Sequence, residues 1–241
     1  MNHVQLTTSN DNILWHKENM LNIGVKIILQ NEPYYKNICS IDCDIHFDDV
    51  HWVNDTLRLL SSNDIIQMCL DLNSNGETMA CYHSFGYQYH HHKKLFSSGQ
   101  TNYSHSGYAW CLSRNAYDKM KYFFGKSIIR SGDYYFVLFL INRNPLSNDY
   151  AKGYIKDADE YRKNLLNFRI TYLPTLIRHF YHGSKDNRCY DTRHKILISN
   201  KFNPNKDLIY NKDGLLEYSK DCPEKLKKDL YEYFTMRMED Q

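Results

Sequence analysis

The sequence has no CxxC pair, no long hydrophobic run, no excess of charge of one sign, and little proline or glycine. Each absence excludes something. Seven cysteines (Cys39, Cys43, Cys69, Cys81, Cys111, Cys189, Cys222) form an odd set without zinc-knuckle spacing. Several lie in apolar runs, where a free thiol behaves as a small hydrophobe. That pattern predicts thiols in a reducing compartment, the cytoplasm, and argues against a disulfide scaffold. The longest apolar stretch, Tyr134 to Ile141, is too short to span a bilayer. The polar first residues, Met1 to Asn12, carry no signal-peptide core, so no targeting segment is expected. With 30 basic against 28 acidic residues and no basic stripe, nucleic acid is not the expected partner. The five prolines and ten glycines mark no linker and no repeat, which predicts one domain over 1–241.

What is present is a globular composition: 42% hydrophobic and 24% charged residues are enough for a packed core. Tyrosine is abundant, at 21 copies, and its ring and hydroxyl suit sugar stacking. Asn, Lys and Ile are abundant as well, however, so coding bias of an AT-rich genome takes most of the credit. Apolar spacing predicts a helix from Asn12, as cap, to Gln30. Ile38 to Ile41 reads as a strand buried on both faces. Asp49 to Leu60 reads as a helix and Ile65 to Leu70 as a second strand, together a right-handed βαβ unit of a parallel sheet. From Asp71 to Ser106 the periodicity disappears, which predicts a long functional loop. Ser113 is placed to cap a helix running to about Phe123. Tyr134 to Ile141 fits a buried helix or a strand equally. Lys156 to Asn167 reads as a helix, Leu176 to Tyr181 as a strand and Asn187 to Ile198 as helical. Pro223 opens a last helix over Glu224 to Met238.

Four constellations could carry chemistry. Asp42 and Asp44, one residue apart at a strand end, would leave the strand on one side and offer oxygen ligands to Mg²⁺ or Mn²⁺. Two acids capping the next helix explain the same spacing about as well. Asp133, in Ser131-Gly132-Asp133, can serve as a general base, or simply as a turn and cap residue. His179 and His182 would sit on opposite faces of a strand, so one of them at most points into a site. Tyr89-His90-His91-His92-Lys93-Lys94 reads as an exposed loop, since adjacent histidines rarely converge on one ion.

Taken together, these residues resemble nucleotide-sugar glycosyltransferases of the GT-A fold, galactosyltransferase-like or family-two-like, as in bacteria and large DNA viruses. Lys17-Glu18-Asn19-Met20-Leu21-Asn22-Ile23-Gly24 is similar to the helix before the family's metal-binding strand. Ile41-Asp42-Cys43-Asp44-Ile45-His46-Phe47 resembles its DxD strand end, and Trp52 a recurrent Trp. Ser106-Gly107-Tyr108-Ala109-Trp110 is similar to a G-aromatic-A-W segment, and Ser131-Gly132-Asp133 to a G-x-G-D turn. His182-Gly183 with Asn187, Arg188 and Tyr190 resembles an H-G-x-x-x-N-R-x-Y stretch. Phe234, Arg237, Glu239 and Asp240 resemble the closing Y-F-x-x-R-x-E-D.

The resemblance implies a Rossmann-like α/β sandwich with a mostly parallel central sheet flanked by helices. It implies transfer of a sugar from a nucleotide-sugar donor to a carbohydrate or protein acceptor, with Mn²⁺ or Mg²⁺. Asp44 and His182 would hold the metal, Asp42 the ribose or a metal-bound water, and Asp133 would be the base. Gly107 and Trp110 would shape the sugar pocket and Arg188 would face a phosphate. The compartment would be the cytoplasm, that of a host if the chain is viral. Only Val4-Gln5-Leu6 stands where the family has a base-binding strand–helix–strand unit. The nucleotide-binding part is therefore expected to be shortened, or supplied by another subunit in a homo-oligomer. An inactive sugar-binding relative of the fold is the alternative. A nucleotidyltransferase or phosphohydrolase would need more clustered carboxylates than Asp48 and Asp49 provide.

Overall fold

The structure, a computed structural model, describes residues 5–9, 12–69, 71–74, 82–92, 104–180, 186–190 and 192–237. In chain order the first half runs α1 (Lys17–Asn31), β1 (Asn37–Ile41), β2 (Ile45–Phe47), α2 (Trp52–Leu60), β3 (Ile65–Gln67), β4 (Asp71–Ser74), β5 (Tyr82–His83) and α3 (Phe85–His92). Next come β6 (Ala109–Ser113), α4 (Arg114–Met120), α5 (Gly132–Leu140), α6 (Lys152–Arg162), β7 (Ile170–Tyr172) and β8 (Leu176–His179). The rest is α7 (His194–Ser199), α8 (Pro204–Asp207), the β9 (Leu208–Tyr210) and β10 (Leu216–Tyr218) hairpin, and α9 (Glu224–Met236). Among the described residues no helix is long and apolar enough to cross a membrane.

The chain is α/β, but its central sheet is mixed rather than mostly parallel. Its order is β1-β6-β3-β7. Strand β6 enters antiparallel between β1 and β3, and only β3 and β7 pair in parallel. The β1-α2-β3 unit therefore exists, but its two strands are not neighbours. Alternation explains why its strands read as unbroken apolar runs. Ile66, Ala109 and Cys111 face α2 through Leu60, whereas Ile65, Trp110 and Leu112 face the large aromatic core. Strand β3 is buried throughout, the polar Gln67 included, but β1 corrects the expectation of a strand buried on both faces: at the sheet edge its Cys39 and Ile41 are exposed.

Several boundaries differ from the sequence reading for local reasons. Helix α1 starts at Lys17 because Asn12 spends its side-chain oxygen on the Tyr218 N–H, and Trp15 N–H bonds to Ile128 O. In α2, Thr56 and Leu60 are buried while Val53 and Leu57 stay exposed. Ser113 caps α4 as expected, its Oγ accepting from Ala116 N–H at 3.2 Å. The ambiguous Tyr134–Ile141 run is helix α5, with seven of its nine residues buried. Helix α6 begins earlier than read and passes into a 3-10 turn at Lys163–Leu165.

The stretch after Asp71, expected as loop, contains β4, β5 and α3; residues 75–81 and 93–103 lie outside the described residues. A second sheet of order β2-β8-β4-β5 uses two of those strands. The histidine run belongs to α3 rather than to a loop. His91 Nε2 lies 2.9 Å from Tyr172 Oη and His90 Nδ1 lies 3.3 Å from Thr171 Oγ1. Helix α3 reaches this position because Gly86 has no Cβ: one there would come within 2.9 Å of Thr171 O. The thiol expectation is corrected too. Cys39 and Cys111 face each other in the β1–β6 register and form a disulfide across 72 residues of sequence. Spacing along the chain cannot reveal such a pair, since the facing position is set by strand register.

Candidate functional site

The site is assembled where the two four-stranded sheets meet. β1 ends at Ile41, and the Asp42 N–H still donates to Tyr108 O at 2.8 Å. Asp42, Cys43 and Asp44 then form the turn that carries the chain from one sheet to the other. They are not a straight strand end, so the two carboxylates take separate partners. Asp42 Oδ1 accepts from the Lys17 ammonium at the first turn of α1. Asp44 Oδ2 lies 3.2 Å from His179 Nε2 at the end of β8, and Asp44 O accepts from Phe180 N–H.

Asp133 arrives from the other side of the core. Arg130 and Ser131 both adopt positive φ, 76° and 73°, and the tight turn they make starts α5 with Asp133 as its second residue. The Asp133 carboxylate rests on the bare Cα of Gly107: a Cβ there would come within 2.7 Å of Oδ2. Ser106 Oγ donates to the same oxygen at 3.4 Å. The 104–108 segment is itself held by Gln67, a fully buried residue of β3. Its amide donates to His105 O and Gly107 O, and its oxygen accepts from Gly86 N–H.

Electrostatics tie these groups into one cluster. Burial raises the Asp42 carboxyl above its ordinary value; Lys17 opposes this, and Asp133 and Asp44 add to it. Burial alone would lower the Lys17 ammonium, but Asp42, Asp133 and Glu18 raise it. Glu18 is pushed up to about 7, chiefly by burial. Its Oε1 occupies the space beside Gly132 at the start of α5, and its Oε2 has no hydrogen-bond partner. Tyr108, at φ 79°, packs edge-on against His179 with ring centroids 5.1 Å apart. Burial, Asp133, Tyr190 and Asp44 all raise its phenol, which marks it as a neutral wall between the carboxylates and Tyr190.

The sequence candidates fare differently. Asp42, Asp44, Asp133 and Gly107 come together from three distant segments. Trp110 does not line an open pocket: it is 6% exposed, packs edge-on against Phe136, and donates from Nε1 to Ser106 O. Its place is to anchor the segment that carries Gly107. Arg188 sits in a 3-10 turn (Asp186–Arg188) and donates to Tyr190 Oη at 3.2 Å. His182 lies outside the described residues, and among the described residues no group of three His, Cys, Asp or Glu could hold a metal ion. The histidine that does meet Asp44 is His179. Strand alternation could have identified it, because it shares a face with the fully buried Ile177. Gln67 carries no sequence signal of its own, and Lys17 and Glu18 enter the sequence reading only as part of the α1 resemblance, with no site role.

A shallow concavity of about 670 Å³ lies nearby, lined by His46, Asp48, Arg178 and Phe180. His46 and Arg178 occupy the register position facing away from Ile45 and His179, so it opens on the opposite face of the small sheet. The Arg178–Asp48 ion pair, at 2.7 and 3.1 Å, fills its wall with a satisfied contact. The carboxylate cluster is the chemically richer site. Comparison with protein-family models, curated proteins and solved structures finds no match to this chain.

Proposed function

We propose that this chain is a nucleotide-sugar glycosyltransferase of the GT-A fold, acting on an acceptor hydroxyl at the Asp42–Asp44–Asp133 cluster. One observation carries the reading. The Asp42, Asp44 and Asp133 carboxylates, 89 residues apart in the case of Asp44 and Asp133 (133 − 44), lie close enough to act on one another electrostatically, and Asp133 rests against Gly107. Asp44 and His179, which contact each other at 3.2 Å, would offer one carboxylate oxygen and one imidazole nitrogen to a divalent ion such as Mn²⁺ only after that contact opens, with phosphate oxygens and water as further ligands. Asp42 fits less well as a ligand, because Lys17 already neutralises it. A divalent ion bound there would offset the charge that grows on a departing diphosphate.

The chain's own groups supply the rest. Asp133, its carboxylate steadied by Ser106, takes the proton of the acceptor hydroxyl. The acceptor oxygen forms its bond to the anomeric carbon as the bond to the diphosphate oxygen breaks, and the electron pair leaves with the diphosphate. Gly107, without a Cβ, leaves the room that this carboxylate occupies. Lys17 holds Asp42 in an ion pair at the edge of the cluster.

A second reading has its own support. The Lys17–Asp42 pair and the two-member Asp44–His179 set suit a glycosyltransferase-like chain that binds sugars without transferring them. Calorimetry with uridine and guanosine sugar nucleotides, with and without Mn²⁺, separates the two. The transferase reading expects Mn²⁺-dependent heat with one donor, lost in Asp44→Ala and in His179→Ala. It expects Asp133→Asn to keep the heat and lose donor turnover. No heat with any donor favours the second reading, and unchanged turnover in Asp133→Asn removes the base assignment.

A further inference from the structure

Behind the Ser131–Asp133 turn lies a cation that no acid answers among the described residues. Arg193, just ahead of α7, is 6% exposed. A guanidinium has five N–H donors. Here Nη2 donates to Ser131 Oγ at 2.5 Å, while Nε and Nη1 are buried with no hydrogen-bond partner. Among the described residues no carboxylate pairs with it. Ser131 Oγ also lies 3.2 Å from His194 Nε2, and His194 Nδ1 lies 3.4 Å from Tyr135 Oη. Burial, and then Arg193 itself, lower the His194 imidazole to about 4, so this ring carries no charge at neutral pH. These contacts are between neutral groups, and none among the described residues offsets the guanidinium charge.

The Tyr190 ring lies over the guanidinium, 4.8 Å from centroid to Cζ, and its hydroxyl accepts from Arg188 Nη1 at 3.2 Å. Tyr190 is half exposed, so its ring is a movable cover rather than part of the core. On its other side it is close enough to raise the Tyr108 phenol, which itself borders Asp44 and Asp133.

We infer that Arg193 is the floor of an anion subsite that takes a phosphate or diphosphate group once the Tyr190 ring swings aside. The planar fork matches phosphate oxygens bidentately, and a desolvated guanidinium without an acid gains most from such a partner. The subsite names the donor's phosphate end in the glycosyltransferase reading and rests on that reading for its biological role, though not for its test.

The test is calorimetry of the full chain with inorganic pyrophosphate and, separately, orthophosphate, in the presence of a chelator. Wild type is expected to bind pyrophosphate. Arg193→Met should weaken that binding at least tenfold while melting no lower than wild type, because an uncompensated buried charge is replaced by an apolar chain of similar length. Tyr190→Ala should bind at least as tightly as wild type. Absence of binding by wild type, equal binding by Arg193→Met, or weaker binding by Tyr190→Ala overturns the inference. An Arg193→Met variant that melts far below wild type does so as well, since the guanidinium would then be a compensated part of the scaffold. With no metal and no sugar present, failure here leaves the donor-binding test standing, and success here does not depend on it.

Discussion

Replacing Glu18 by Gln should stabilise this protein at pH 8 and leave it nearly unchanged near pH 4.5. Glu18 is a buried carboxyl whose folded value is about 7 against an ordinary 4.5. It therefore holds its proton longer in the folded state than in the unfolded chain. Its contribution is complete below pH 4.5, is lost as pH rises through 7, and then stays constant. The gap of about 2.5 pH units corresponds to about 3 kcal/mol at ~1.4 kcal/mol per unit. Glu18→Gln removes the proton release and with it that penalty. For a chain of this length the gain at pH 8 amounts to a rise of roughly 6–12 °C in melting temperature.

His194 works in the opposite sense. Its folded value of about 4 against an ordinary 6.5 gives stability that is present above pH 6.5 and lost as pH falls through 4. The two slopes offset each other between pH 4.5 and 6.5 in wild type. In Glu18→Gln the His194 slope stands alone, and stability should climb with pH across that window. Urea unfolding at pH 5 and pH 8, wild type beside variant, reads both effects. A variant that differs from wild type equally at both pH values, or that is less stable at pH 8, refutes the buried-carboxylate reasoning.

Three further substitutions probe the architecture. Gly107→Ala pushes a Cβ to 2.7 Å from Asp133 Oδ2. The carboxylate can turn away, so thermal melting should hold while donor turnover falls sharply. Gly86→Ala meets the Thr171 carbonyl at 2.9 Å and the Gln67 and Tyr172 side chains at 3.0 and 3.1 Å. Backbone cannot yield cheaply, and denaturant unfolding should show a loss of about 1–3 kcal/mol. Ser113→Ala removes the α4 cap and should cost about 1 kcal/mol by the same assay, with the sheet unchanged by circular dichroism.

Parts of the candidate site are legible in the amino-acid order. Asp42, Asp44 and Asp133 stand out because acids that follow or precede strongly apolar runs are conspicuous. Gly107 stands out through a segment resemblance alone. Lys17 and Glu18 do not, because a polar pair at a helix start ordinarily faces water. Here α1 packs its first turn against α5, and Gly132 leaves room for the Glu18 carboxylate. Trp110 misleads for the converse reason: an aromatic beside a glycine fits a pocket wall and a core position equally well in sequence. Only burial distinguishes them.

By itself the sequence determined part of the local structure: the helices α1, α2, α4 and α9 to within a few residues, the Ser113 cap, and the apolar runs that became β1 and β3. Periodicity reports these because each depends on residues within one or two turns or pleats. The tertiary structure alone decided which distant segments meet. It interleaved β6 between β1 and β3, bonded Cys39 to Cys111, and set Lys17 on Asp42, His179 on Asp44 and Arg193 beneath Tyr190. Such pairings follow from strand register and packing between segments far apart in the chain, and no pattern along the chain encodes them singly.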